Sequence, residues 1–290
     1  MDRRQFLLSA AAVPTVLAAP AGDFTFVHLT DTHIQPELRA AEGCRESFRR
    51  VNSVKPEFVL VGGDLVFDAA AVPPQRARAV YNLYRESVKL IEAPIHTVIG
   101  NHDVFCVTTE SGGRPDTPGY GKKMFEDHIG KRYYTFDHKG WKFIALDSVH
   151  LTPNGSFIGG IDDEQLTWLK NTLGTIEKTT PLVVLTHIPL VTGFLHFASS
   201  PASSQMLVVT NAQDVLDLLW SHNLKAVLQG HTHVRETVLY NGCQFITSGA
   251  ICGNWWKGLR LGHPEGFGVL SAKNGQLTWR YETYGFRASV

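Results

Sequence analysis

The chain of 290 residues carries 27 basic and 27 acidic side chains, and 43% of its residues are apolar or aromatic. That apolar share excludes a disordered chain, and a net charge of zero lacks the positive surface that would neutralise the phosphates of a long nucleic acid. At the usual scale of about 150 residues per domain the length admits two domains or one large α/β domain.

Residues 1–21 differ from the rest of the chain. Arg3-Arg4-Gln5-Phe6-Leu7-Leu8, a short apolar run from Ser9 to Ala19, and Ala19-Pro20-Ala21 have the basic, apolar and small-residue parts of an export signal. The run is too short to cross about 30 Å of hydrocarbon as a helix, so no stable membrane insertion is expected. Paired arginines ahead of Gln-Phe-Leu resemble a twin-arginine signal, which implies the twin-arginine export machinery as a partner and a periplasmic or secreted destination. The expected division is therefore a signal peptide over 1–21 and one domain over 22–290. Cys44, Cys106, Cys243 and Cys252 show no C-x-x-C spacing. An oxidising destination permits disulfides among them; buried free thiols are the alternative.

In chain order, residues 24–29 read as a strand and 37–54 as an amphipathic helix. Phe58-Val59-Leu60-Val61 is a second strand stopped by Gly62-Gly63, Pro73-Pro74 opens a helix through Ile91, and 95–99 is a third strand ending at Gly100. This alternation predicts parallel strands joined by crossover helices. Asp137-His138-Lys139-Gly140 then reads as a hairpin turn between strands 133–136 and 141–146. A helix is expected over 162–177, a buried strand over 182–185, a loop over 193–204, a helix over 211–222 and a strand over 226–228, with further strands through Tyr284.

Polar clusters fall just past the ends of five of these strands: Asp31-Thr32-His33, Gly63-Asp64, Gly100-Asn101-His102-Asp103, Thr186-His187, and Gly230-His231-Thr232-His233. In open α/β sheets, loops at the carboxyl ends of strands converge on one crevice. Any single cluster carries little weight, since a lone histidine is usually a structural residue, but five at equivalent strand ends imply a shared site. Carboxylate, amide oxygen and imidazole suit manganese, iron, zinc, nickel or cobalt. Seven such ligands exceed what one ion needs. A carboxylate serving two cations holds them about 3.5–4 Å apart, and Asp64, after its glycine pair, is the candidate bridge.

This order of motifs, from Asp31 to His233, resembles the calcineurin-like metallophosphoesterases, and within them the bacterial cyclic-nucleotide phosphodiesterase branch. The resemblance implies an α/β fold with two mixed β-sheets facing each other and helices outside, a four-layer sandwich. It implies two divalent or trivalent transition-metal ions, one held by Asp31, His33, Asp64 and His233, the other by Asp64, Asn101, His187 and His231. It also implies that His102 is no ligand but hydrogen-bonds or protonates the substrate at the scissile phosphate. A hydroxide between the two ions would attack phosphorus in line, and an imidazole near neutral pKa can protonate the leaving oxygen. Purple acid phosphatases of this superfamily carry a tyrosine where Phe67 stands, which argues against a ferric-tyrosinate centre. Asp68 and Asp103 are candidates to orient His102, with solvated or capping carboxylates as the alternative.

Substrate hints are fewer. Trp255 and Trp256, in a glycine-bearing stretch, either stack on a substrate or fill a gap; His196 is a phosphate contact or a surface residue; Lys257 and Arg260 are the nearby basic side chains. The expected substrate is a small phosphodiester of the cyclic nucleotide or glycerophosphodiester class. The alternatives are phosphomonoester hydrolysis at the same site, or a protein that binds metal or phosphate without turnover.

Overall fold

In the computed structural model, which describes residues 22–198 and 201–288, strands and helices alternate at the outset as predicted. Strand β1 (Phe24–Leu29) leads to helix α1 (Ala40–Val54), β2 (Val59–Val61) to α2 (Pro74–Val88), and β3 (Ile95–Thr97) to the short α3 (Lys123–His128). Helix α1 starts later than the predicted 37 because Leu38 and Arg39 both take left-handed φ of 54°. The central segment holds β4 (Tyr134–His138), β5 (Trp141–Ala145), β6 (Val149–Leu151), β7 (Phe157–Gly159), α4 (Asp163–Leu173) and β8 (Pro181–Leu185). The hairpin turn narrows to Lys139-Gly140, whose φ values of 44° and 79° suit a two-residue turn matched to strand twist. Asp162 caps α4 by accepting from the Gln165 N–H at 2.8 Å.

Where the sequence predicts a loop over 193–204, the chain forms α5 (Leu195–Ala198) and α6 (Pro201–Leu207). The remainder comprises α7 (Ala212–Leu219), β9 (Asn223–Gln229), β10 (Arg235–Tyr240), β11 (Cys243–Ser248), β12 (Gly266–Lys273) and β13 (Gln276–Thr283).

These strands form two large mixed sheets, ordered β13-β12-β1-β2-β3 and β10-β11-β9-β8-β5-β4, plus the β6-β7 ribbon. Alternation along each strand explains the layering. Phe24 and Phe26 of β1, Phe143 of β5, Val183 of β8 and Leu270 of β12 join one apolar layer between the sheets, whereas Val27, Leu29, Val59, Val61 and Val184 belong to the cluster shared with the helices. Phe26 and Phe58 stack with centroids 4.9 Å apart in the inner layer. Each such buried ring contributes about 1.5–3 kcal/mol relative to exposure. On the outside, Ala40, Cys44, Phe48 and Val51 make the buried stripe of α1, at helical spacing.

The two-sheet sandwich, rather than one parallel sheet, is what brings loops from opposite sheets together. Those after β1, β2 and β3 come from the first sheet and those after β8 and β9 from the second. No helix among the described residues is long and apolar enough to cross a membrane. The signal peptide expected over 1–21 lies outside the described residues.

Candidate metal centre

All seven predicted ligands converge. Asp31, His33, Asp64, Asn101, His187 and His233 are buried, and His231 is partly so. His33 Nε2 lies 3.4 Å from Asp64 Oδ2 and 3.1 Å from His233 Nε2; His187 Nε2 lies 3.2 Å from the same Asp64 oxygen and 3.1 Å from Asn101 Oδ1. Asp31 Oδ1 is 3.2 Å from His233 Nε2. Asp64, His187 and His231 offer ligand atoms within 4.8 Å of one another, as do His33, Asp64 and His102. Asp64 thus sits between two groups of donors.

Local backbone explains the motif spacing. Asp31, His33, Asp64, His231 and His233 all have positive φ, from 39° to 72°. Non-glycine residues occupy this region at a cost, and such strain gathers at functional sites. The glycines before the ligands serve close approach: a Cβ on Gly100 would meet Asp64 Oδ1 at 2.2 Å, and one on Gly230 would meet Thr30 Oγ1 at 2.2 Å.

The imidazoles are oriented from behind. His187 Nδ1 contacts the Gly62 carbonyl at 2.7 Å, His233 Nδ1 the Gly253 carbonyl at 2.7 Å, and His33 Nδ1 the Phe67 carbonyl at 3.4 Å. Donation to those carbonyls leaves each Nε2 lone pair aimed into the cluster, the arrangement metal-ligating histidines show. His231 is turned round: its Nε2 contacts the Met206 carbonyl at 2.9 Å, leaving Nδ1 for the cluster. Asp31 is held by Thr30 Oγ1 at 2.7 Å and by the His231 N–H.

The electrostatics fit cations. Burial opposes ionisation of Asp31, but the neighbouring His233 outweighs it and holds the carboxyl at about 2. Asp64, against the same burial, is held well below its ordinary value by His187 and His102. Despite burial, His187 is raised to about 9 by Asp64, and His233 is raised by Cys252 and Asp31. Burial lowers His33 to about 4; burial and His187 lower His231 to about 3. Two buried carboxylates therefore draw positive charge onto two imidazoles. A cation would satisfy the same demand with the imidazoles neutral, the His33 and His233 Nε2 atoms, 3.1 Å apart, then being free to act as ligands.

His102 occupies the rim. Its ring lies edge-on to His33 with centroids 4.7 Å apart, it is half-buried, and its N–H donates to Asp64 Oδ1 at 2.9 Å. Neither candidate orienting carboxylate hydrogen-bonds that ring. Asp68 Oδ1 accepts from the Ala70 and Ala71 N–H groups, closing a turn. Asp103, fully buried, accepts from the Leu65, Val66 and Gly100 N–H groups and so ties the Asp64 loop to the Asn101 loop.

The two tryptophans take different roles. Trp256 is buried, donates from Nε1 to the Thr32 and His33 carbonyls, and fills the space beside Gly43. Trp255 is half-buried with its ring 4.5 Å from that of His233, and the Arg260 guanidinium lies 5.4 Å from its indole centroid. Lys257 is exposed, and so is His196, on α5. Phe67 lies edge-on near His33 at 6.4 Å. The four cysteines are buried free thiols. By sequence Cys252 is only one of these four, yet its sulfur is 3.6 Å from His233 Nδ1, the rear nitrogen. Its closeness in sequence to the Trp255 loop is the one signal of this contact.

Fold and site together define a metallophosphoesterase. The chain belongs to the calcineurin-like phosphoesterase family, whose model matches residues 24–235, and that family uses divalent metal ions. It is 24% identical over 230 residues to "Probable glycerophosphodiester phosphodiesterase GpdQ" of Arcobacter nitrofigilis, covering 77% of this chain and 76% of the relative. It is 28% identical over 254 residues to "Serine/threonine-protein phosphatase CPPED1" of Bos taurus, covering 85% and 74%. A dimetal phosphatase from Danio rerio shares the fold at a TM-score of 0.60 and 16% identity, over 90% of this chain and 99% of that one.

Proposed function

We propose that the chain is a two-metal phosphodiesterase acting on small diesters of the cyclic nucleotide or glycerophosphodiester class. Asp31, His33, Asp64 and His233 would hold one ion, and Asp64, Asn101, His187 and His231 the other. The observation that carries this reading is the placement of Asp64, whose Oδ2 lies 3.4 Å from His33 Nε2 and 3.2 Å from His187 Nε2, between two sets of donors. Bound ions of this kind activate water and neutralise the phosphoryl oxygens. The chain's own residues do the rest: His102, at the rim, protonates the departing alkoxide, and Asp103 keeps the loops bearing Asp64 and Asn101 in register. Similarity to the Arcobacter glycerophosphodiester phosphodiesterase supports the diester, and similarity to the bovine serine/threonine-protein phosphatase favours a phosphate monoester as the second reading. Export by way of Arg3 and Arg4 would place the domain over 22–290 in the periplasm or outside the cell.

The test is elemental analysis of the purified protein together with turnover of bis-p-nitrophenyl phosphate and p-nitrophenyl phosphate. Close to two transition-metal ions per chain and a higher kcat/KM on the bis ester are expected, with Asp64→Ala abolishing both. Unchanged metal content in that variant removes the bridge, and a higher kcat/KM on the monoester overturns the diesterase assignment.

A further inference from the structure

Beside Asn101 and His102 the surface opens into a cavity of about 260 Å³. Its walls are mainly apolar. Val104 and Val107 come from the chain after His102, Leu151 and Phe157 from the β6-β7 ribbon, and Met206 from α6. Met206 is also the residue whose carbonyl holds His231, so the cavity wall and the metal cluster share one support.

Its charge is one-sided. Apart from His102, the only ionisable side chain on the wall is Asp68, fixed through Oδ1 by the Ala70 and Ala71 N–H groups, and no lysine or arginine lines it among the described residues. An alcohol leaves phosphorus on the side from which its oxygen is protonated. If His102 is that acid, the departing alcohol lies in this cavity. An anionic substituent there would lose water against apolar walls and meet a carboxylate, whereas an uncharged ring or chain would lose little and gain burial.

We propose that this cavity is the leaving-group subsite and that it selects an uncharged alcohol with an apolar or aromatic face. The proposal rests on the hydrolase reading above and adds to it the class of the departing group.

Two methyl aryl phosphodiesters test it, one releasing 4-hydroxybenzamide and the other the somewhat less acidic phenol 4-hydroxybenzoate, each kcat/KM being divided by the ester's uncatalysed rate to remove that difference. The metal-loaded enzyme should favour the carboxamide in kcat/KM by about tenfold or more. Ala71→Lys, a substitution at an exposed position on the cavity wall, should reduce that preference at least severalfold by raising turnover of the carboxylate, with metal content unchanged. Equal kcat/KM for the two esters, or a preference unmoved by Ala71→Lys, overturns the proposal. Saturation-transfer NMR with the two phenols gives a readout independent of turnover: 4-hydroxybenzamide should bind and 4-hydroxybenzoate should not, and Ala71→Trp should abolish the signal by filling the space. If no phosphoester is hydrolysed, the hydrolase reading fails, and the NMR result alone decides the cavity: equal binding of both phenols, or binding that survives Ala71→Trp, overturns the subsite.

Discussion

Replacing Asp103 tests how the two first-sheet loops of the site are locked together. The carboxylate is fully buried and takes three backbone donors: Leu65 N–H at 2.8 Å, Val66 N–H at 3.3 Å and Gly100 N–H at 2.8 Å. Asp103→Ala strands all three away from water, and each unsatisfied buried donor costs about 1–3 kcal/mol. Because the Val66 contact is long and neighbouring losses do not simply add, a total of about 3–6 kcal/mol is expected, a large part of the roughly 5–15 kcal/mol that holds a domain folded. Asp103→Asn keeps one oxygen for Leu65 and Val66 but turns an N–H₂ toward the Gly100 N–H. That substitution should cost about 1–3 kcal/mol. Both substitutions remove a buried acid that burial first, and the Asp64 carboxylate second, push up to about 8, a gain common to the two variants that leaves the difference between them to the three N–H groups. Urea unfolding of the metal-free variants is the assay. With a slope near 3 kcal/mol per M, the alanine midpoint should fall by roughly 1–2 M and the asparagine midpoint by less than 1 M. An alanine midpoint within about 0.3 M of the unsubstituted protein would refute the clamp, since it would mean that the three donors find other partners.

Three further outcomes are expected. His102→Ala should cut kcat on an alkyl or cyclic diester by about 10²–10⁴ and on bis-p-nitrophenyl phosphate far less, because p-nitrophenolate departs without a proton; equal losses, with metal content intact, would make His102 a positioning group. Burial lowers His28 to about 3, its Nδ1 meeting Ser248 Oγ and its Nε2 unpartnered. Below the ordinary histidine value of about 6.5 the unfolded chain takes up a proton that the folded chain refuses, so stability falls as pH drops from there toward 3, by at most about 1.4 kcal/mol per pH unit. His28→Asn should flatten that slope, and an unchanged stability profile between pH 6 and 4 contradicts the assignment. Lysine at both Arg3 and Arg4 should leave full-length precursor inside the cell; finding the unaltered protein uncleaved in the cytoplasm would remove the signal from the reading.

The ligand residues are legible in the sequence because each lies within a few positions of a strand end, and Asp64, Asn101 and His231 directly follow glycines, which the crowded backbone requires at Gly100 and Gly230. The partition into two sheets is not legible from the strands alone. Val59-Leu60-Val61 in the first sheet and Leu182-Val183-Val184-Leu185 in the second bury both faces alike, so nothing in either run says which sheet it joins. Only the resemblance carried by the motif order supplies the sandwich. The supporting residues depend on contacts distant in sequence. Trp255 and Trp256 are adjacent and chemically identical, yet Trp256 sits under the Thr32 and His33 carbonyls and Trp255 against His233. Asp103 acts through the Leu65 and Val66 backbone, 38 and 37 positions away. The helices α5 and α6 are hidden in the sequence because glycine and serine near 193–204 weaken helical propensity, and tertiary packing overrides propensity.

The meeting of the two sheets at one cluster links occupancy to unfolding. On the proposed ligand set each ion would be held from both sides: His33 and Asp31 follow β1 and His233 follows β9, while Asp64 and Asn101 belong to the first sheet and His187 and His231 to the second. Each ion is then a staple across the seam. A ligand that binds only the folded chain stabilises it by about 1.4 kcal/mol for each tenfold rise in free concentration above its dissociation constant. On that ligand set metal supply would set melting temperature along with activity, and a chelator should lower the first as it removes the second.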